Sequence, residues 1–241
     1  MVDKVNIRGI EILAVPTQTA LVEYLFSENE IKAGRLVAIN AEKIVLSEED
    51  RQLRQLIQAS EYNYADGISI VKSIHKKYPQ YRHIERIAGA DLWLALMRKS
   101  AEMAVPVFLI GSEAVTLSKT SVKLAAMGVN IVGQQDGYFS SVQENELIER
   151  VQRSGAKFIT VALGSPKQEL LIQKMQGCYS DALYMGVGGS YDVFIGKVKR
   201  APLIWQKMGL EWLYRLLHQP TRWKRQIRLL KYAYYYVANK L

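Results

Sequence analysis

Asp66 stands in "YNYADGIS", after an aromatic-rich segment with strand character and before a run with helical character. An Asp-Gly pair makes a turn on its own account, because both residues tolerate turn backbone. The same carboxylate, on a loop at the carboxyl edge of a sheet, is also suited to take a proton from a substrate hydroxyl as a general base. Spacing alone does not separate the two. In "VALGSPKQE" an apolar strand runs into Gly164, with Ser165 as the expected N-cap and Pro166 at the first helical position. That is a helix start, either simply capped or used as an anion site through its free N–H groups, with Lys167 and Gln168 expected at the same mouth. "GVGGSYD", holding Gly186, Gly188 and Gly189, matches half of a dinucleotide fingerprint but lacks the third glycine and follows a late strand. It supports a backbone cradle for a nucleotide or diphosphate better than a nicotinamide site. Asp136 and Tyr138, together with the 186–190 loop, are candidates to hold uracil.

His75, His83 and His218 have no ligand spacing, and the chain has neither an Asp-x-Asp pair nor a G-x-S-x-G elbow. Metal and covalent catalysis are therefore not expected, and no cofactor is. A diphosphate leaving group would need cationic side chains.

These residues need a scaffold. "RLVAIN" (35–40), "VPVFLIG" (105–111), "VNIVG" (129–133), "KFITVALG" (157–164) and "DALYMGVG" (181–188) read as strands. "SEEDRQLRQLIQAS", "GADLWLALMRKSAEMA" and "SVQENELIERVQRSG" read as helices between them. Apolar strands separated by helices predict a Rossmann-like α/β fold, with a mostly parallel sheet covered on both faces. Such sheets bind ligands beyond the carboxyl ends of their strands, where "NAEK", "ADGIS", "GSPKQE" and "GVGGSYD" all fall.

The 241 residues, 49% hydrophobic, suffice for a buried core, and the single cysteine, Cys178, excludes an intrachain disulfide and suits a reducing compartment. No run reaches the length needed to span a bilayer and the start lacks a secretory pattern, so a cytoplasmic protein is expected. The net charge of +9 is segregated: from Lys197 onward eleven Lys and Arg face one acid, Glu211, while residues 1–196 are close to neutral. The chain is thus read as a catalytic domain, 1–196, and a basic helical appendage, 197–241.

On a helical wheel of the tail, Trp223, Ile227, Leu230, Tyr234 and Val237 share one face, and Lys224, Arg225, Arg228 and Lys231 the other. A packed terminal helix with solvated charges, a nucleic-acid surface and a helix in the interface of an anionic membrane all fit this pattern.

Taken in order, "LVAINAEK", "YADGIS", "RIAGADLW", "NIVGQQDGYF", "VALGSPKQE", "YMGVGGSYDVFIGKVKRAP" and "GLEWLYRLL" with the following "QP", Arg222 and "KRQ" resemble the WecG/TagA/CpsF family of bacterial glycosyltransferases. The resemblance runs from about residue 8 to about 232 and is strongest to its enterobacterial branch. It implies an inverting, metal-independent hexosyltransferase that moves N-acetyl-D-mannosaminuronate from UDP to N-acetylglucosamine on undecaprenyl diphosphate. The product would be the second lipid intermediate of enterobacterial common antigen. The resemblance gives Asp66 as base, Asn40, Arg86 and Gln168 as further site residues, and Arg215, Arg222 and Arg225 as arginines reaching the donor diphosphate. The segregated charge and the amphipathic wheel lead us to expect that the tail attaches the enzyme peripherally to the cytoplasmic face of the inner membrane and, docked near the site, brings these arginines to the diphosphate; the resemblance implies self-association that competes with that docking. Ala38 departs from the teichoic-acid branch, which tends to carry a hydroxyl residue there and uses UDP-N-acetylmannosamine; that donor is the alternative. A nucleic-acid-binding module using the same tail is the rival from another class.

Overall fold

The computed structural model describes residues 2–27, 30–199, 201–202, 205, 214 and 223–241, without the side chains of 223–226. Strands β1 (Lys4–Ile7) and β2 (Ile10–Leu13) form an antiparallel hairpin turned by Arg8 (φ 52°) and Gly9 (φ 82°). Two successive left-handed residues give the twist that a two-residue hairpin needs.

The central sheet contains β3 (Gly34–Ile39), β4 (Tyr62–Ala65), β5 (Val107–Gly111), β6 (Ile131–Gln135), β7 (Phe158–Ala162) and β8 (Leu183–Gly186). Their order is β4-β3-β8-β7-β5-β6 and every pairing is parallel, as the apolar runs predict. Alternate residues of one strand serve opposite cores. Val107 and Leu109 join Trp93, Leu96 and Phe158, while Phe108 and Ile110 join Ile159, Leu171 and Met175. Both faces are covered, which is why β5 and β7 are buried at every position.

The helices are α1 (Gln18–Leu25), α2 (Ala41–Glu49), α3 (Arg51–Gln58), α4 (Ile68–Lys77), α5 (Gly89–Glu102), α6 (Ala114–Ala125), α7 (Ser141–Arg153), α8 (Lys167–Cys178) and the short α9 (Ser190–Phe194). The stretch read as one helix over 47–60 is divided at Asp50, which closes α2 and caps α3 by accepting from the Leu53 N–H at 3.0 Å. A short carboxylate competes well for helix-start N–H groups, so the break falls there.

A C-terminal helix (Trp223–Val237) lies along α2. Tyr232 and Tyr235 are buried in a third cluster with β1, β2, α2 and α4. Tyr232 shares a 2.8 Å hydrogen bond with Ser73, and the Tyr235 hydroxyl donates to Glu48 at 2.8 Å. Arg228 and Lys231 face the body too, where Arg228 Nε meets Glu49 at 3.1 Å and Lys231 stands 3.8 Å from both Glu48 and Glu49. The wheel's apolar face points outward instead: Ile227 is 56% exposed, Leu230 71%, Tyr234 55% and Val237 81%. Of the readings of the tail, packing on the body is thus observed over residues 227–237, with Lys231 still exposed and Arg228 partly so. Acids on α2 draw these charges inward and turn the apolar stripe away from the protein.

Candidate active site

Strands β3 and β4 end level, Ile39 beside Ala65, so the residues that follow them meet at the carboxyl edge. The N–H groups of Asp66 and Gly67 both donate to the Ile39 carbonyl, at 3.0 and 3.3 Å. A Cβ on Gly67 would stand 3.2 Å from Asn40 Cβ, which shows how closely the two loops pass. Asn40 caps α2, its Oδ1 accepting from the Lys43 N–H at 2.9 Å.

The Asp66 side chain is oriented from α5. Gly89, the first residue of that helix, donates its N–H to Asp66 Oδ1 at 2.9 Å, while Oδ2 has no partner among the described residues. Arg86 donates from Nε to the Asp66 carbonyl at 2.7 Å, on a loop fastened to β4 by the Ile87 N–H and the Ala65 carbonyl at 3.0 Å. Beneath them Tyr64 is buried, its hydroxyl close enough to Gly89 that a Cβ there would lie 3.1 Å away. Burial, and then the charge of Asp66, push the Tyr64 phenol well above its ordinary pKa, so it stays neutral.

A second group closes over β8. Gln168, in the first turn of α8, donates from Nε2 to Glu169 Oε1 at 3.1 Å and accepts at Oε1 from the Gly188 N–H at 3.1 Å. Lys43 Nζ reaches the same Glu169 oxygen at 2.8 Å, and both ion-pair side chains are buried. Burial alone would raise the Glu169 pKa. The charge of Lys43 and the hydrogen bonds from Lys43 and Gln168 outweigh it, holding the carboxyl below its usual range. At Gly186 a Cβ would stand 2.5 Å from Gln168 Nε2, so only glycine lets the amide pass over the strand end.

Asp66, Asn40, Gly188 and Gln168 thus follow or flank β4, β3, β8 and β7, four adjacent strands. Arg86 joins them through Asp66. Gly189 stands just beyond Gly188, as the N-cap of α9. Asp136 Oδ1 accepts from the Tyr138 N–H at 2.9 Å; the two follow the edge strand β6, three strand positions from β8, and Tyr138 is exposed. The Gly137 N–H between them donates to the Ser112 carbonyl at 2.8 Å, and a Cβ on Gly137 would stand 2.9 Å from Leu163 Cδ2, so their loop packs beside the end of β7. Lys167 is exposed where Gln168 is buried. Ser165 does not cap α8: Pro166 is the N-cap, no side chain caps it, and the Gln168 N–H is taken by the Gly164 carbonyl at 2.9 Å. The left-handed backbone of Gly164 (φ 74°) turns that carbonyl to the helix, doing the work expected of the serine. Arg215 and Arg222 lie outside the described residues, as does the side chain of Arg225.

A model of the glycosyl transferase WecG/TagA/CpsF family matches residues 5–241. The chain belongs to the WecG/TagA/CpsF family. It is accordingly a glycosyl transferase, which takes a sugar from a donor and passes it to an acceptor.

Within this family member, Tyr64, Lys43, Glu169 and Gly89 are parts of the candidate site that residue-by-residue reading passed over. All four lie in stretches already quoted, "YNYADGIS", "NAEK", "GSPKQE" and "RIAGADLW". The signal for Lys43 and Glu169 is a lysine and an acid, each the third residue of a helix that begins at the carboxyl edge. Chemically, the edge offers a carboxylate with one oxygen oriented and one without a partner among the described residues, on the same sheet edge as an amide and a glycine loop.

Proposed function

We propose that this glycosyl transferase moves N-acetyl-D-mannosaminuronate from a UDP donor to N-acetylglucosamine on undecaprenyl diphosphate, with inversion and without a metal. The observation that carries the mechanism is the Asp66 carboxylate, whose Oδ1 is held by the Gly89 N–H while Oδ2 has no partner among the described residues. An inverting displacement needs one base on the acceptor side. Asp66 Oδ2 takes the proton from the acceptor hydroxyl as its oxygen attacks the anomeric carbon, and the bond from that carbon to the diphosphate oxygen breaks on the opposite face. The departing UDP carries the electron pair. Arg215, Arg222 and Arg225 are assigned to it, with Arg86 and the glycine loop supporting the edge where it sits.

The lipid acceptor is supported by the C-terminal helix. Its exposed stripe, Ile227, Leu230, Tyr234 and Val237, is apolar and continuous at helical spacing. We assign it to the cytoplasmic leaflet, with neighbouring bases of residues 197–241 meeting anionic headgroups. No helix among the described residues is long and apolar enough to cross a membrane, and this arrangement does not call for one. A nucleic-acid surface is less favoured, because Arg228 and Lys231 are engaged by Glu48 and Glu49.

The test is transfer from UDP-N-acetylmannosaminuronate and, separately, UDP-N-acetylmannosamine to an N-acetylglucosaminyl-diphosphate lipid in anionic vesicles with EDTA. Product from the uronate alone is expected. Product from N-acetylmannosamine alone would move the donor to the teichoic-acid type, and product from neither would overturn the substrate assignment.

A further inference from the structure

Lys43 and Glu169 form a buried pair whose stabilising value is doubtful on physical grounds. Two desolvated charges commonly do no better than well-packed apolar side chains of the same volume. Here Glu169 Oε2 is also buried without a hydrogen bond among the described residues, which adds to the cost of the arrangement.

What the pair does is visible in its connections. The Asn40 side chain receives the Lys43 backbone N–H, Lys43 Nζ reaches Glu169, Glu169 receives Gln168 Nε2, and Gln168 Oε1 receives the Gly188 N–H. The chain of contacts starts after β3, ends after β8 and passes through α8 after β7. In the sheet β8 lies between the other two, so the connection bridges its carboxyl end. A primary amide is nearly symmetrical in shape, and its orientation is decided by its partners. An ionised carboxylate only accepts, so Glu169 must meet the Nε2 end, and Oε1 is then left facing the Gly188 N–H. The reversed amide would set oxygen against carboxylate and N–H against N–H. The charge on Glu169 thus selects the one orientation that ties down the glycine loop, and the Lys43 ammonium sustains that charge.

We propose that Lys43 and Glu169 are positioning residues for glycosyl transfer, locking the Gln168 amide in one orientation and through it the Gly188 loop at the donor edge. This rests on the reading above that the donor binds along these strand ends. Neither residue need touch the substrate.

The experiment compares wild type with the double variant Lys43→Met/Glu169→Leu, which fills the same space without charge. Thermal unfolding, hydrogen exchange of the Gly188 amide and UDP affinity by calorimetry are measured on each. Wild-type unfolding temperature is expected to be kept or raised, while Gly188 exchange accelerates by about tenfold or more, the equivalent of one net hydrogen bond, and UDP affinity falls with it. A stable double variant with wild-type exchange at Gly188 would overturn the proposal, as would a Gly188 amide already unprotected in wild type. If the double variant does not fold, Glu169→Gln keeps the size and removes the charge, and the same exchange readout decides. Should wild type show no UDP affinity, the donor reading fails, while Gly188 exchange still tests the lock.

Discussion

Asp66 is held at one oxygen and unpartnered, among the described residues, at the other, and this makes a sharp substitution possible. In Asp66→Asn the amide oxygen can still accept the Gly89 N–H, so the loop and the α5 start keep their geometry. The other position becomes an NH2 group, which cannot take a proton. Fold and UDP affinity are expected unchanged, with turnover down by about 10² to 10⁴ in a steady-state transfer assay; full activity would remove Asp66 as base. Gly186 yields a different expectation. Gln168 is bonded at both ends of its amide and cannot swing away from a new Cβ 2.5 Å distant. Gly186→Ala should therefore cost about 1 to 3 kcal/mol in denaturant unfolding, with faster Gly188 exchange. The place of Asp66 at a strand end was legible because its Asp-Gly turn follows an aromatic strand, whereas its role as base comes from the family resemblance. The reason for Gly186 was not, because a close approach by a side chain eighteen residues earlier leaves no local trace.

At the scale of elements, continuous apolar runs made β3, β5, β7 and β8 readable, since burial on both faces removes the polar alternation. The β1-β2 hairpin escaped such reading: each strand has only four residues and its turn is Arg-Gly rather than Asn-Gly. The wheel of the C-terminal helix separated its two faces correctly without indicating which one meets the protein. That depends on Glu48 and Glu49 of α2, which are distant in sequence. Burial raises the Glu48 pKa, but hydrogen bonds from Arg8 and Tyr235 and the charges of Arg8 and Lys231 outweigh it, giving a net lowering. A carboxyl with a lowered folded pKa adds stability that is present above its unfolded value, about 4.3, and is lost as pH falls through the folded pKa. The protection factors of amides over residues 228–237, corrected for the slower intrinsic exchange in acid, should therefore fall as pH drops below about 4.3. In Glu48→Gln that acid response should shrink, and the helix should already be looser at pH 7, by about 1 to 3 kcal/mol. An identical acid profile in the variant would remove Glu48 as the anchor.

Across the whole molecule α2 connects two regions. Its start is capped by Asn40 at the carboxyl edge, and its far end carries Glu48 and Glu49 against the C-terminal helix. Nine residues at about 1.5 Å each make that link roughly 14 Å long. A stripe seated in a leaflet would thus hold the strand ends within one short helix of the headgroup layer, the depth at which a diphosphate-linked sugar is presented. Removing the helix altogether is a poor test, because Tyr232 and Tyr235 belong to a buried cluster and their loss would unsettle the hairpin and α2 as well. Substitution of the outward stripe isolates the proposed membrane contact. Ile227, Leu230 and Val237 are each more than half exposed, so Ile227→Ser/Leu230→Ser/Val237→Ser should unfold like wild type, within about 0.5 kcal/mol per site. Each apolar side chain buried in lipid is worth about 1.5 to 3 kcal/mol, so vesicle affinity in sedimentation should fall by well over tenfold. Transfer to a lipid-embedded acceptor should fall with it, while transfer to a soluble short-chain acceptor persists. Unchanged vesicle affinity would mean that the stripe faces something other than the bilayer, and loss of activity on both acceptors would place its role at the site.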